Sequence, residues 1–392
     1  MLNQRIALVT AVWFLLSGCD GTGSLDEYSI STLPASGRPF SESSELILEY
    51  VRSFGPGELP PSFTYHGPAG VSRADQMLLR SHTDCKWAVL DLISGRRVRY
   101  FGRCGDGPHE TRAVAGAGIF SDTIVFADVR SALLRFVGSA DTVGRRLQIQ
   151  GLDGDSIQGV HSLTVLDDTT AFVTLAVSGR SGSAAPLFGF VDLRTGNLRP
   201  VPFHLTERRR ASVPEAEHFF GACTHRAVSM IIAENNGPAE LLGLALDGRA
   251  RWARRGHVAG LVLKEGDASD APSAAFRWNR LPVRPACTAT LALSRFIPQD
   301  GPSRVAPLGV LVLTRFDGTV AMGSPFAARD SVLALANWFA DDSLFYVATT
   351  QAMTPRVLAF RPRRRAEGDE GPFAIPDSIR AAMTTDLILS DR

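Results

Sequence analysis

Apolar and polar positions along this chain form short alternating or wholly apolar runs, and the runs recur in a fixed order. The segments AVLDLISGRRVRYFG, LLRFVGSADTVGRRLQI, FGFVDLRTGNLRPVPF, LLGLALDGRARWA and GVLVLTRFDGTVAM each join two strand-like runs through a turn that holds a glycine. That is the sequence form of a β-hairpin, with glycine supplying the positive φ that the turn demands. The glycines are Gly95, Gly144, Gly196, Gly248 and Gly318, at intervals of 49, 52, 52 and 70 residues. A second signal precedes the first. Asp75, Asp122, Asp168 and Asp342 each stand just before a β-rich run, where an Asp side chain can bond nearby backbone and fix a turn. The runs AVSMIIAE and ATLALSRF occupy the same place without the Asp.

Each unit therefore holds about four short strands, with the third centred near Val89, Leu134, Phe190, Leu242, Leu311 and Leu358. Units of ~40–50 residues with four strands are the blades of a propeller. The expected fold class is all-β, a six-bladed β-propeller with four-stranded blades over 45–365. The sixth unit lacks a good fourth strand, because RPRRRAEGDEG (361–371) is polar and broken; the runs Arg361 to Arg365 and Arg208 to Arg210 read as solvated loops. The apolar-rich stretch at 45–54 has nothing before it in its own unit. It is expected to complete the sixth blade and to close the ring, leaving no unpaired end.

The glycine-rich stretch Gly102-Arg103-Cys104-Gly105-Asp106-Gly107-Pro108 invites a phosphate-loop reading. Such a loop needs a helix after it, whose N-terminal N–H groups face the anion. TRAVAGAGIFSDTIVF follows instead, and it reads as strand and turn. The same corner stands at Phe54-Gly55-Pro56-Gly57-Glu58. Both stretches resemble the "GRxGxGPGEF" corners of NHL-like six-bladed β-propeller lipoproteins of bacteria. The resemblance is clearest over 46–150. His109 stands where that family has Gly, and Thr111 where Phe is usual. It implies a fold and an address rather than a reaction.

The address is carried by the first residues. Arg5 precedes a run of eleven residues, Ile6 to Leu16, which is too short to span a bilayer of ~30 Å. Leu16-Ser17-Gly18-Cys19 follows, with the layout of a secretory signal. It resembles the lipobox of bacterial lipoproteins, which implies removal of residues 1–18 and lipidation of Cys19, palmitate included. Residues 19–44 are rich in Gly, Ser and Pro and read as a flexible tether. The expected location is the exported side of a bacterial envelope membrane, held there by the acyl chains. Asp20 resembles an inner-membrane retention signal, whose meaning varies between lineages.

Composition narrows the chemistry. The net charge is +1, so there is no basic field for nucleic acid. Only Lys86 and Lys264 are lysines. Eight histidines are scattered without partners at useful spacing, and no GxSxG is present. No cofactor is expected. Disulfides persist in an exported chain, and four cysteines remain besides Cys19. Cys85 and Cys104 each lie nine residues from a turn at Ser94-Gly95, so a regular two-residue hairpin would set them face to face. Cys223 and Cys287 precede the second strands of successive units and would staple blade four to blade five. A metal set of His82, Cys85, Cys104 and His109 is the weaker alternative.

Long insertions at 204–217, 264–284 and 296–306 interrupt the rhythm, and binding surfaces favour such loops. Phe276, Arg277, Trp278 and Arg280 combine side chains common in interface hot spots, although an inter-blade linker is the plainer reading. Ile379, Met383 and Leu387 have helical spacing in the tail, 366–392. The expected function is binding or scaffolding of an envelope protein, peptide or glycan. The rival is a metal-dependent hydrolase or lyase of the six-bladed type.

Overall fold

The computed structural model describes residues 45–54, 76–80, 87–101, 105, 114–120, 123–128, 131–137, 143–151, 156–167, 169–178, 184–200, 220–224, 229–234, 240–245, 250–255, 286–296, 310–325, 330, 333, 337–349 and 356–390. Strand β1 spans Leu46–Phe54. Sheet one holds β2 (Gln76–Arg80), β3 (Trp87–Asp91) and β4 (Arg97–Phe101). Sheet two holds β5 (Val114–Phe120), β6 (Thr123–Asp128), β7 (Leu133–Val137) and β8 (Val143–Gln148). Sheet three holds β9 (Ser156–Val165), β10 (Thr170–Ser178), β11 (Ala184–Asp192) and β12 (Leu198–Pro200). Sheet four holds β13 (Phe220–Thr224), β14 (Ser229–Glu234), β15 (Glu240–Ala245) and β16 (Ala250–Arg255). Sheet five holds β17 (Ala286–Cys287), β18 (Leu291–Phe296), β19 (Val310–Arg315) and β20 (Val320–Pro325). The last sheet runs in the order β21 (Asn337–Ala340), β22 (Phe345–Thr349), β23 (Arg356–Arg364), β1, β24 (Phe373–Ala374), and helix α1 (Asp377–Ser390) follows.

The six residues around which third strands are expected fall in β3, β7, β11, β15, β19 and β23. In β3, β19 and the first half of β23 the run is apolar because residues on both faces are buried, Leu358 and Phe360 wholly so. The sheets pack in sequence. One core joins sheets one and two through Trp87 and Phe126, and another joins two and three through Leu134 and Val173. β10 of sheet three approaches β13 of sheet four. Leu313 of sheet five shares a core with Phe345 and Phe360 of the last sheet. A further core joins the last sheet to the first through Tyr346, Val357, Met77 and Leu90. This is an all-β propeller.

Direct backbone approach sets the spacing of sheets two and three. A Cβ on Gly116 would lie 2.6 Å from Leu163 N, and one on Gly118 would lie 2.4 Å from a Val165 methyl. The two contacts advance together, so β5 and β9 run parallel. Sheets four and five meet at Trp252, whose Nε1 donates to Phe316 O at 2.9 Å. Its ring lies across Gly243 and Gly318, with 2.2 and 2.7 Å left for any Cβ.

β1 pairs antiparallel with β23, from Leu46 opposite Arg364 to Phe54 opposite Val357. On its other side it pairs in parallel with β24. The reversal between β23 and β24 uses Gly368 and Gly371, with φ of 88° and 68°. Arg363 bonds Glu49 and both oxygens of Asp369, and Arg365 bonds the carbonyls of Asp369 and Gly371. Phe373 then stacks on Trp338, and Met383 of α1 enters the same core with Ile379 packed against it.

Several expectations are corrected. Arg361–Arg364 are strand residues of β23 rather than a solvated loop, because β1 supplies their hydrogen-bond partners. The last sheet has five strands, and three are described in the first. Gly144 sits within β8, not at a turn. The β3–β4 hairpin is not a two-residue turn. Asp91 N donates to Arg96 O, the register shifts between Val89 and Leu90, and Trp87 faces Phe101. The same shift recurs in the third-to-fourth pairing of sheets two, four and five. A bulge at that place adds local twist. Cys85 and Cys104 lie outside the described residues.

Candidate functional site

Alternate strands are antiparallel within each sheet, so their connections alternate between two ends. The turns from first to second strand and from third to fourth span two to five residues. The connections from second to third strand, and from one sheet to the next, run from four to 30 residues. The insertions at 204–217, 264–284 and 296–306 all belong to the second group, although apart from Phe296, which ends β18, their residues lie outside the described ones.

At the short-turn end, side chains replace backbone partners. Asp91 Oδ1 accepts from Ile93 N at 3.0 Å and Ser94 N at 2.7 Å; Asp192 Oδ1 accepts from Arg194 N at 2.7 Å and Thr195 N at 3.1 Å. Gly95 and Gly196 close these turns with φ of 72° and 82°. Donation from Ser94 and Ile93 holds the Asp91 carboxyl below the usual carboxylate range, and donation from Arg194 and Thr195 does the same for Asp192. At the first-to-second turns, where Asp168 and Asp342 are expected, Asp168 lies outside the described residues, and the described caps come from the residue just before each. Asp167 accepts from Thr169 N, and Asp341 from Ser343 N and Leu344 N. Burial raises the Asp167 carboxyl, yet the bonds from Thr169 and Thr170 outweigh it and the net shift is downward. Asp341 Oδ2 also accepts from the Tyr346 hydroxyl at 2.6 Å; burial first, then this bond, raises the phenol. In sheet five, Thr288 Oγ1 stands in for the Asp, accepting from Leu291 N at 3.1 Å. Asp75 and Asp122 lie outside the described residues.

This end is also where sheets are latched to one another. Cys223 and Cys287, each just before a first-to-second turn, form a disulfide with their Cα atoms 5.6 Å apart. Ala289 N donates to Asp342 O, joining two turns of adjacent sheets. Arg145 Nη2 donates to the Leu193 and Arg194 carbonyls, and Arg52 Nη1 to Ile93 O. Glu45 and Arg315 form an ion pair at 3.0 and 3.1 Å, which lowers the carboxyl and raises the guanidinium.

An open cleft of about 410 Å³ lies here between the fifth and last sheets. Leu46, Thr288, Thr290, Arg315, Ser343 and Arg361 are among its walls. Its charges are mixed: Arg315 is matched by Glu45, and Asp342 and Arg361 both line it. It offers hydroxyls and guanidinium groups, and no carboxylate set for a metal. Among the described residues no group of three or more His, Cys, Asp or Glu could hold a metal ion. No described helix is long and apolar enough to cross a membrane.

Of the residues singled out from sequence, Cys223 and Cys287 are brought together. Cys19, Cys85, Cys104, Phe276, Arg277, Trp278 and Arg280 lie outside the described residues. The Glu45–Arg315 latch escapes sequence reasoning because its partners are 270 residues apart. The Asp91 and Asp192 caps were findable: Asp-Leu-Ile-Ser-Gly and Asp-Leu-Arg-Thr-Gly repeat one pattern.

No family model matches the chain, and no curated protein matches its sequence. Solved structures do resemble it. A member of the DUF4221 family from Bacteroides vulgatus aligns with a TM-score of 0.57 at 10% identity, over 83% of this chain and 100% of that one. A protein of Bacteroides fragilis thought to be exported gives a TM-score of 0.47 at 9% identity, over 83% and 97%. The calcium-binding protein regucalcin from Agrobacterium tumefaciens gives 0.43 at 12% identity, over 83% and 96%. At this identity the DUF4221 likeness shows a shared propeller fold and nothing about ligand or activity.

Proposed function

We propose that this chain is a six-bladed propeller closed by β1, lipidated at Cys19 and held on the exported side of a bacterial envelope membrane, where it binds or scaffolds a protein, peptide or glycan. The six sheets are taken as six blades. Sequential packing, with a core shared by the last and first sheets, supports that reading. The place of β1 between β23 and β24 supports closure by the N-terminal strand. The lipobox-like Leu16-Ser17-Gly18-Cys19 supports the anchor, and with it membership of the lipoprotein group the corners resemble.

One observation carries the binding role. A scaffold latched at its short-turn end sends its longest connections from the other end, and rigid scaffolds with variable loops are how recognition surfaces are built. The segment holding Phe276, Arg277, Trp278 and Arg280 belongs to the longest of these, between β16 and β17. The test is in-cell photo-crosslinking from Trp278 in the anchored protein, compared with crosslinking from Ile93 in a short turn. A discrete adduct from Trp278 alone supports recognition through the long connections. Stoichiometric Ca or Zn in the purified protein, with hydrolase or lyase activity that a chelator removes, would replace this reading by the enzymatic one.

A further inference from the structure

We propose that the short-turn end faces the membrane and that the end sending out the long connections points away from it. This rests on the anchoring proposed above and adds a direction to it.

The direction comes from where the described chain begins. First strands run toward the short turns, and β1, as fourth strand of its sheet, runs the other way. Its first residue, Leu46, therefore stands at the short-turn end. The cleft shows the neighbours directly: Leu46 shares it with Thr288 and Thr290 of the β17–β18 turn and with Ser343 of the β21–β22 turn. Glu45, one residue earlier, is tied on two sides. Its carboxylate takes two bonds from Arg315 Nη2, and its carbonyl accepts from Arg365 N at 2.9 Å. The described chain thus begins at a fixed point beside these turns. Between Cys19 and Glu45 lie 25 residues, whose Gly, Ser and Pro content is that expected of a flexible tether, and a tether of this length would have a root-mean-square reach of roughly 25–30 Å. A tether of that reach holds its attachment point near the bilayer. The membrane then excludes the rest of the fold from its own side. The short turns are pulled inward, and the far ends of the sheets are left to the aqueous phase.

The test uses the full-length chain made in cells and recovered with its membranes. A photoreactive p-benzoylphenylalanine replaces Ile93, a turn residue 71% exposed, or Gln158, exposed at the start of β9 and so at the opposite end. Ser343 and Pro200 form a second pair at the two ends, so that a misfolded first variant does not decide the matter. The readout is crosslinking to a clickable phospholipid. Severalfold stronger lipid labelling from Ile93 and Ser343 than from Gln158 and Pro200 is expected. Equal or reversed labelling in protein recovered with membranes overturns the orientation alone. Recovery of the wild-type chain in the aqueous fraction, unchanged by Cys19→Ala, overturns the anchoring and the orientation with it.

Discussion

At the scale of single residues, the fold depends on a few positions where backbone and side chains meet too closely for substitution. Gly196 combines φ of 82° with only 2.2 Å between a would-be Cβ and Gln148 O of the neighbouring sheet. Gly196→Ala is expected to cost about 2–4 kcal/mol, adding left-handed strain to a backbone clash. Trp252→Ala removes the wedge between sheets four and five and is expected to cost about 3–5 kcal/mol. Thermal or urea unfolding of each variant measures both. Acid sensitivity also resides here. The Asp369 carboxyl is held down to about 2 by Arg363, with further help from Ala366 N. A carboxyl near 3.9 in the unfolded chain binds protons first there. Its contribution is therefore complete above about pH 4 and is lost as pH falls toward 2. Unfolding between pH 5 and 2 should be less steep in Asp369→Asn than in the wild type. Identical profiles would mean that the Arg363–Asp369 pairing contributes nothing to acid stability.

At the scale of elements, legibility follows from how local the signal is. Third strands such as Leu311–Leu313 are readable because their burial on both faces demands apolar runs. The Gly95, Gly196 and Gly318 turns are readable because only a positive φ fits there. β23 was legible only in part, since the stretch from Arg361 owes its strand character to β1, over 300 residues away in sequence. The bulges beside the third-to-fourth turns leave no mark in composition, and they defeat any argument from equal spacing. The pair Asp341-Asp342 shows the same limit: both suit a cap, and only geometry shows that Asp341 Oδ1 accepts from Ser343 N and Leu344 N. The disulfide was legible because Cys223 and Cys287 hold equivalent places in successive units. Closing a loop of 64 residues in sequence should stabilise by roughly 4 kcal/mol in the chain-entropy model. Cys223→Ser with Cys287→Ser should lower the unfolding midpoint, and reductant should then have little further effect on the contact between sheets four and five.

At the scale of the whole molecule, the latches and the long connections lie at opposite ends of the sheets. The short-turn end holds the side-chain caps, the disulfide, the inter-sheet latches and Glu45, the first described residue. The far end holds the connections whose length varies. The central claim is that β1 is an integral strand of the last sheet and closes the ring. Amide hydrogen exchange across 46–54 in the native protein tests it most directly. Protection matching that of β22 and β23 is predicted, with loss of all three together as denaturant rises. Exchange of 46–54 at the rate of an unstructured peptide, while β23 stays protected, would contradict it.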